Sequence, residues 1–339
     1  MGFERWFLIG AFLIFLIYPA ACARHPGGPA RPESSKSPAP GFPVGADFRV
    51  FNARGGEASL SDIAAAAEAV SVVFLGEEHG NPVGHRLQAE LLRMVHGKIG
   101  ERRPVVLAME MFARDVQLAL DEYLGDFIAE RHFLRAARAW PGYATDYRPL
   151  VEYAKAHGLP VFAGNAPRRY VNRVSRLGAD SLADLPAASR AFLPPLPFGE
   201  ASDAYRERFR TFWGAMAGHA GKREGGGSSH GHDAAADETF ERFLAAQALW
   251  DASMADVAAK ILDETPDALV VHVNGKFHSA AGLGIPEHLV DDRPGTRFLV
   301  VTFAVPASFP EFDPGLAGEG DFIVVTDPAR SRRSGSPHG

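Results

Sequence analysis

Val72-Val73-Phe74-Leu75-Gly76-Glu77-Glu78-His79 is an apolar run that ends, past a glycine, in two carboxylates and an imidazole. Four other stretches repeat the form. They are Val105-Val106-Leu107-Ala108-Met109-Glu110, Val161-Phe162-Ala163-Gly164-Asn165, Leu269-Val270-Val271-His272-Val273-Asn274-Gly275-Lys276-Phe277-His278 and Phe298-Leu299-Val300-Val301-Thr302. Short apolar runs bounded by turn residues read as strands buried on both faces. Helical patterns lie between most of them. The expected fold is therefore α/β: a mainly parallel sheet flanked by helices, with a smaller helical subdomain. In such sheets the ligand crevice lies at the carboxyl ends of the strands. That rule gathers Glu78, His79, Glu110, Asn165, Asn274 and His278 at one place, although they are scattered along the chain.

The chain has 339 residues, 46% of them hydrophobic and 22% charged, which suits a globular protein with a substantial core. A net charge of −6 speaks against a general nucleic-acid binder, which needs a basic face. Neither a phosphate-loop motif nor a Gly-x-Gly-x-x-Gly turn opening a helix after a strand is present.

Residues 1–22 read as a targeting segment. Arg5 gives a weak basic start, and Trp6 to Tyr18 is an apolar stretch of signal-peptide rather than membrane-spanning length. Pro19-Ala20-Ala21-Cys22 follows, and small residues before the only cysteine resemble a bacterial lipoprotein cleavage site. Cys22 is thus the candidate for lipidation; the alternative is ordinary secretion with an incidental cysteine. The expected location is the bacterial cell envelope with a lipid anchor, and Ala23 after the cysteine favours the outer membrane.

Residues 23–45, rich in Pro, Gly and Ser, form a disordered tether. The α/β core takes in 46–180 and 265–328. A helical subdomain spans 181–264 and includes a mobile His/Gly-rich loop at 217–237, and 329–339 is a disordered tail. Ser61 is expected to cap a helix over 62–69, Asp146 to Ala156 form one helix, and another runs from about 238 to 263. Gln247 and Asp251 fall inside the apolar seam of that last helix. A buried carboxylate needs a partner. Either it serves a neighbouring loop, or this helix faces the crevice. His272, alternating with apolar neighbours, reads as a core residue.

Carboxylate and imidazole at a strand end suit a divalent metal or general acid–base work. Gly76-x-x-His79 recurs as Gly275-x-x-His278, each after an apolar run. These paired motifs, with Glu110 ending the second strand, resemble the superfamily that joins Tiki metalloproteases, TraB proteins, erythromycin esterases and ChaN-like haem-binding lipoproteins. The ChaN-like branch is matched further by Ala108 to Phe112, by Trp140 to Ala154, by Gly164 to Val171, by Ala246 to Ala255 and by Asn274 to His278.

The resemblance implies an iron-uptake lipoprotein that binds haem, held between two protomers of a homodimer and exchanged with an outer-membrane haem receptor. It implies a tyrosine as iron ligand. Tyr147 and Tyr170 are the candidates, with Arg168 and Arg169 placed to hold propionates. The alternative for both tyrosines is that of half-buried helix residues with surface hydroxyls. Asn165, Asn274, Gln247 and Asp251 would line the crevice. A second reading is a metal-dependent hydrolase or protease, with Glu78, His79, Glu110 and His278 holding a divalent metal or acting as acid–base groups.

Overall fold

The computed structural model describes residues 47–220 and 231–331. The expected signal segment with Cys22 and the tether at 23–45 lie outside the described residues, as do 221–230 of the expected loop and 332–339 of the expected tail.

Eight strands form one sheet: β1 (Phe48–Asn52), β2 (Glu57–Ala58), β3 (Val72–Glu77), β4 (Val105–Ala113), β5 (Val161–Asn165), β6 (Leu269–Gly275), β7 (Phe298–Ala304) and β8 (Phe322–Thr326). Their order is β2-β1-β8-β7-β3-β6-β4-β5. The pairs from β8 through β5 are parallel, and β1 closes the other side antiparallel to β8 and β2. The helices are α1 (Leu60–Ala66), α2 (Pro82–Ile99), α3 (Gln117–Leu124), α4 (Glu130–Ala136), α5 (Tyr143–Asp146), α6 (Arg148–His157), α7 (Arg168–Leu177), α8 (Ala187–Arg190), α9 (Asp203–Ala220), α10 (Gly231–Glu264), α11 (Ile285–Asp292) and α12 (Pro328–Ser331). Among the described residues no helix is long and apolar enough to cross a membrane.

The central strands are apolar on both sides because both sides are covered. Val73, Leu75, Leu107, Met109, Val271 and Val273 join one core with Val83, Leu87, Leu91 and Val95 of α2 and Leu150 and Val151 of α6. The other face carries Val72, Phe74, Val106, Ala108 and Val270 against Met254, Ala258, Ile261 and Leu262 of α10 and Ile285 and Leu289 of α11. His272 sits fully buried on this second face, and burial depresses its pKa to about 4, so it is a neutral core residue.

Local chemistry explains where the chain departs from expectation. α1 begins earlier, because Ser59 and Asp62 form a reciprocal capping box that Ser61 cannot make. The single helix expected over 146–156 is two, α5 and α6, meeting at Tyr147. Pro149 has no N–H to donate to the preceding turn, so the ladder restarts with proline near its head. α10 starts at Gly231, since the Ala-rich residues 234–236 extend a helix readily. Its later half covers the sheet face, so the boundary drawn at residue 264 cuts through the core.

Candidate functional site

β6 lies between β3 and β4, with Glu77 opposite Gly275. The carboxyl ends of β3 and β4 therefore flank the Gly275-Lys276-Phe277-His278 turn. Side chains alternate along a strand. Val73, Leu75 and Glu77 share one face, while Val106, Ala108 and Glu110 share the other. Two carboxylate–imidazole groups result, one on each face, meeting at the rim.

On the α2 face Glu77 is fully buried. Its Oε1 accepts from His79 Nδ1 at 2.8 Å and from the Tyr147 hydroxyl at 2.7 Å. Its Oε2 faces His85 Nδ1 at 3.3 Å, and His85 Nε2 lies 3.7 Å from Asp146 Oδ2. Burial works against the Glu77 anion, but the bonds from His79 and His85 and their charges outweigh it and hold its pKa near 2. Burial likewise opposes charge on His79 and His85, yet the hydrogen bond and charge of Glu77 raise both. Tyr147 is pushed up, first by burial and then by the Glu77 charge, so its hydroxyl stays protonated and donates.

On the α10 face Glu110 Oε2 accepts the Gly275 N–H at 2.6 Å, and its Oε1 stands 3.7 Å from His278 Nε2. His278 Nδ1 meets Asp251 Oδ1 at 2.5 Å, and the Gln247 amide nitrogen lies 3.3 Å from Nδ1. Burial would lower the His278 pKa, but the charges of Asp251 and Glu110 raise it to about 9. Asn274 is fully buried and donates to Gly275 O and Ser279 Oγ, fixing the turn. Gly284 packs beneath: it has φ 67°, and an added Cβ would stand 2.6 Å from the His278 carbonyl oxygen. Gly284→Ala is expected to cost about 1–3 kcal/mol through strain and overpacking, read from the urea unfolding midpoint.

Of His79, His85 and His278, His79 alone opens to solvent, with about half of its side chain exposed. Glu77 fixes the Nδ1 proton, and Nε2 has no hydrogen-bond partner among the described residues. Trp140 meets the ring edge-on, with centroids 5.4 Å apart. Gly275 lets the ring sit close, since a Cβ there would stand 3.0 Å from Nε2.

The structure thus brings together His79, Glu110, Asn274, His278, Gln247 and Asp251. Glu78 differs from the expectation: the strand turns it outward, where it pairs with Lys276 at 2.8 Å. Among the described residues no three His, Cys, Asp or Glu side chains gather in a way that could hold a metal, so the divalent metal expected at Glu78, His79, Glu110 and His278 has no support. Asn165 ends β5 with its Oδ1 buried and without a partner. Tyr147 is buried rather than presented to a ligand. Tyr170 packs into the cluster of Val171, Val174 and Leu182, its hydroxyl accepting from Arg169 at 3.1 Å. Arg168 and Arg169 are exposed at the head of α7. Glu77, His85, Asp146 and Trp140 belong to the site although the sequence alone did not single them out as its candidates. For Glu77 the signal was available: it shares the parity of Val73 and Leu75, whereas Glu78 does not.

No curated protein matches this sequence. Among solved structures the chain is similar to ChaN of Campylobacter jejuni, described with cofacial haem binding, at 18% identity and a TM-score of 0.61, over 84% of this chain and 98% of that one. That likeness establishes the shared fold. An erythromycin esterase mutant, EreC in its open conformation, aligns at 14% identity with a TM-score of 0.42 over 83% of each chain. The type III effector HopBA1 does so at 11% and 0.43, over 79% of this chain and 93% of that one. Residues 63–289, which hold β3 to β6 and both halves of the rim, match the family described as haem-binding uptake, Tiki superfamily, ChaN. The chain belongs to this haem-binding family.

Proposed function

We propose that this protein binds haem at the carboxyl edge of its sheet, as a lipid-anchored envelope protein serving iron uptake. The observation that carries the site is His79. Its Nδ1 is held by a fully buried carboxylate, its Nε2 is uncommitted, and half of the ring is open beside an indole. A carboxylate behind a ligating imidazole fixes its orientation and strengthens it as a donor. Haem, if bound, would supply an iron able to accept such a donor. His79 would be the ligand and Trp140 an apolar wall for the ring. Tyr147 would hold Glu77 in place rather than touch iron.

Lipidation at Cys22, an outer-membrane location, haem shared between two copies of the chain and exchange with an outer-membrane receptor belong to the same proposal. The lipoprotein-like sequence and the family support them.

Haem titration of the full-length chain in detergent tests the site. The wild type is expected to shift the Soret band, Tyr147→Phe to retain the shift, and His79→Ala to lose it or weaken binding by about tenfold or more, the scale of one good donor. Binding should also weaken on acidification, because a proton on Nε2 competes with iron. An unaltered titration for His79→Ala would remove His79 from the role.

A further inference from the structure

Two arginines far apart in the sequence meet over one carboxylate. Arg138 Nη2 lies 2.6 Å from Asp115 Oδ1, and Arg169 Nη1 pairs with Asp115 Oδ2. Asp115 is nearly buried, with 9% of its side chain exposed, whereas the arginines are 59% and 49% exposed. The carboxylate therefore works from below. It gathers two half-exposed guanidiniums, and one carboxylate against two cations leaves a net positive charge.

Both arginines are further restrained. Arg169 lies over the Tyr170 ring at 4.4 Å and donates to its hydroxyl. Arg138 occupies the left-handed position that ends α4, with φ 52°. There Ala139 N–H bonds to Leu134 O and Arg138 N–H to Arg135 O, the double bond pattern of a Schellman cap. Glycine suits that position best, because a side chain in this region costs about 1 kcal/mol. Local backbone preference thus does not explain an arginine here. What the arginine adds is a cation paired with Asp115, two residues before the Trp140 that meets His79.

We propose that Arg138 and Arg169, gathered by Asp115, form a clamp for a pair of carboxylates, the propionates on one edge of the porphyrin. The inference rests on the haem reading. Guanidinium and carboxylate make bidentate, charge-assisted bonds, and two preorganised guanidiniums suit two adjacent carboxylates. Asp115 orders the pair without neutralising it.

The test compares haemin with its dimethyl ester, which keeps iron and macrocycle and lacks both charges, on the full-length chain in detergent. Wild type is expected to bind haemin about tenfold or more tightly than the ester. The double variant Arg138→Ala, Arg169→Ala should bind haemin as weakly as the ester, with the Soret position unchanged. Its ester affinity should match the wild type, which also shows that it folds. Equal wild-type affinity for haemin and ester would overturn the clamp while leaving haem binding intact. So would a double variant with wild-type haemin affinity, or one that loses the ester as well. Absence of a Soret response to either compound in the wild type would overturn the haem reading and the clamp with it.

Discussion

Glu77→Ala is expected to destabilise the protein by about 3–5 kcal/mol, the range for removing one partner from a buried ionic group. The loss has three parts. His85, fully buried, would keep only Asp146 as an anionic partner. The Tyr147 hydroxyl, buried with the rest of its side chain, would lose the acceptor 2.7 Å away. The His79 Nδ1 proton would lose its anchor. Glu77→Gln keeps the shape and one acceptor oxygen, and should cost less while still releasing the His79 tautomer. Urea unfolding of the three proteins checks the order, wild type above Gln above Ala. A loss below about 1 kcal/mol for Glu77→Ala would show that the network contributes little to the fold. The functional reading is separate: Glu77→Gln, folded, should bind haem more weakly than Tyr147→Phe, because only the former loosens the imidazole.

Much of this site was legible in the chain. The five apolar runs fall in β3 to β7, and their polar ends do reach one rim, because period-two burial and short turns leave few alternatives. The double Gly-x-x-His pattern marks two imidazoles that the structure brings to one strand-end rim, His79 beside Gly275 and His278 beside Glu110. Strand order was not legible. That β6 inserts between β3 and β4, and so brings Glu110 to the Gly275 N–H, depends on tertiary packing of crossovers that local pattern cannot rank. Adjacent carboxylates at a strand end look alike in sequence, yet the pleat sends Glu77 inward and leaves Glu78 to pair with Lys276. The orientation of Tyr147 is not legible in the chain, because it follows from the helix break at Pro149 and the buried acceptor beneath it. Asp251 was identified as a carboxylate needing a partner; the partner, His278, lies across the sheet edge and could not be named from spacing.

The buried histidines and Glu77 carry opposite consequences for pH. On the α10 face the folded state holds His278 with a pKa of about 9, against 6.5 unperturbed. A group raised on folding contributes fully below its unfolded value and loses that contribution as pH rises through the folded value. The difference corresponds to about 3 kcal/mol, fully present below about pH 6.5 and gone above about pH 9. His79 and His85, also raised, add to the loss on the alkaline side. Glu77 runs the other way. Depressed to about 2 from 4.5, it contributes above 4.5 and loses that contribution as pH falls toward 2. Stability is therefore expected to be greatest between these windows and to decline on the alkaline side well before lysines titrate. Urea midpoints measured at about pH 6 and about pH 9.5 should differ by an amount of this order. His278→Gln, which cannot take up the proton, should be less stable at the lower pH and show a flatter profile across that interval, because Asp251 then loses its cation at every pH. A wild-type midpoint unchanged between the two conditions would mean that His278 is neutral in the fold, and the Asp251–His278 contact a hydrogen bond without the ion pair.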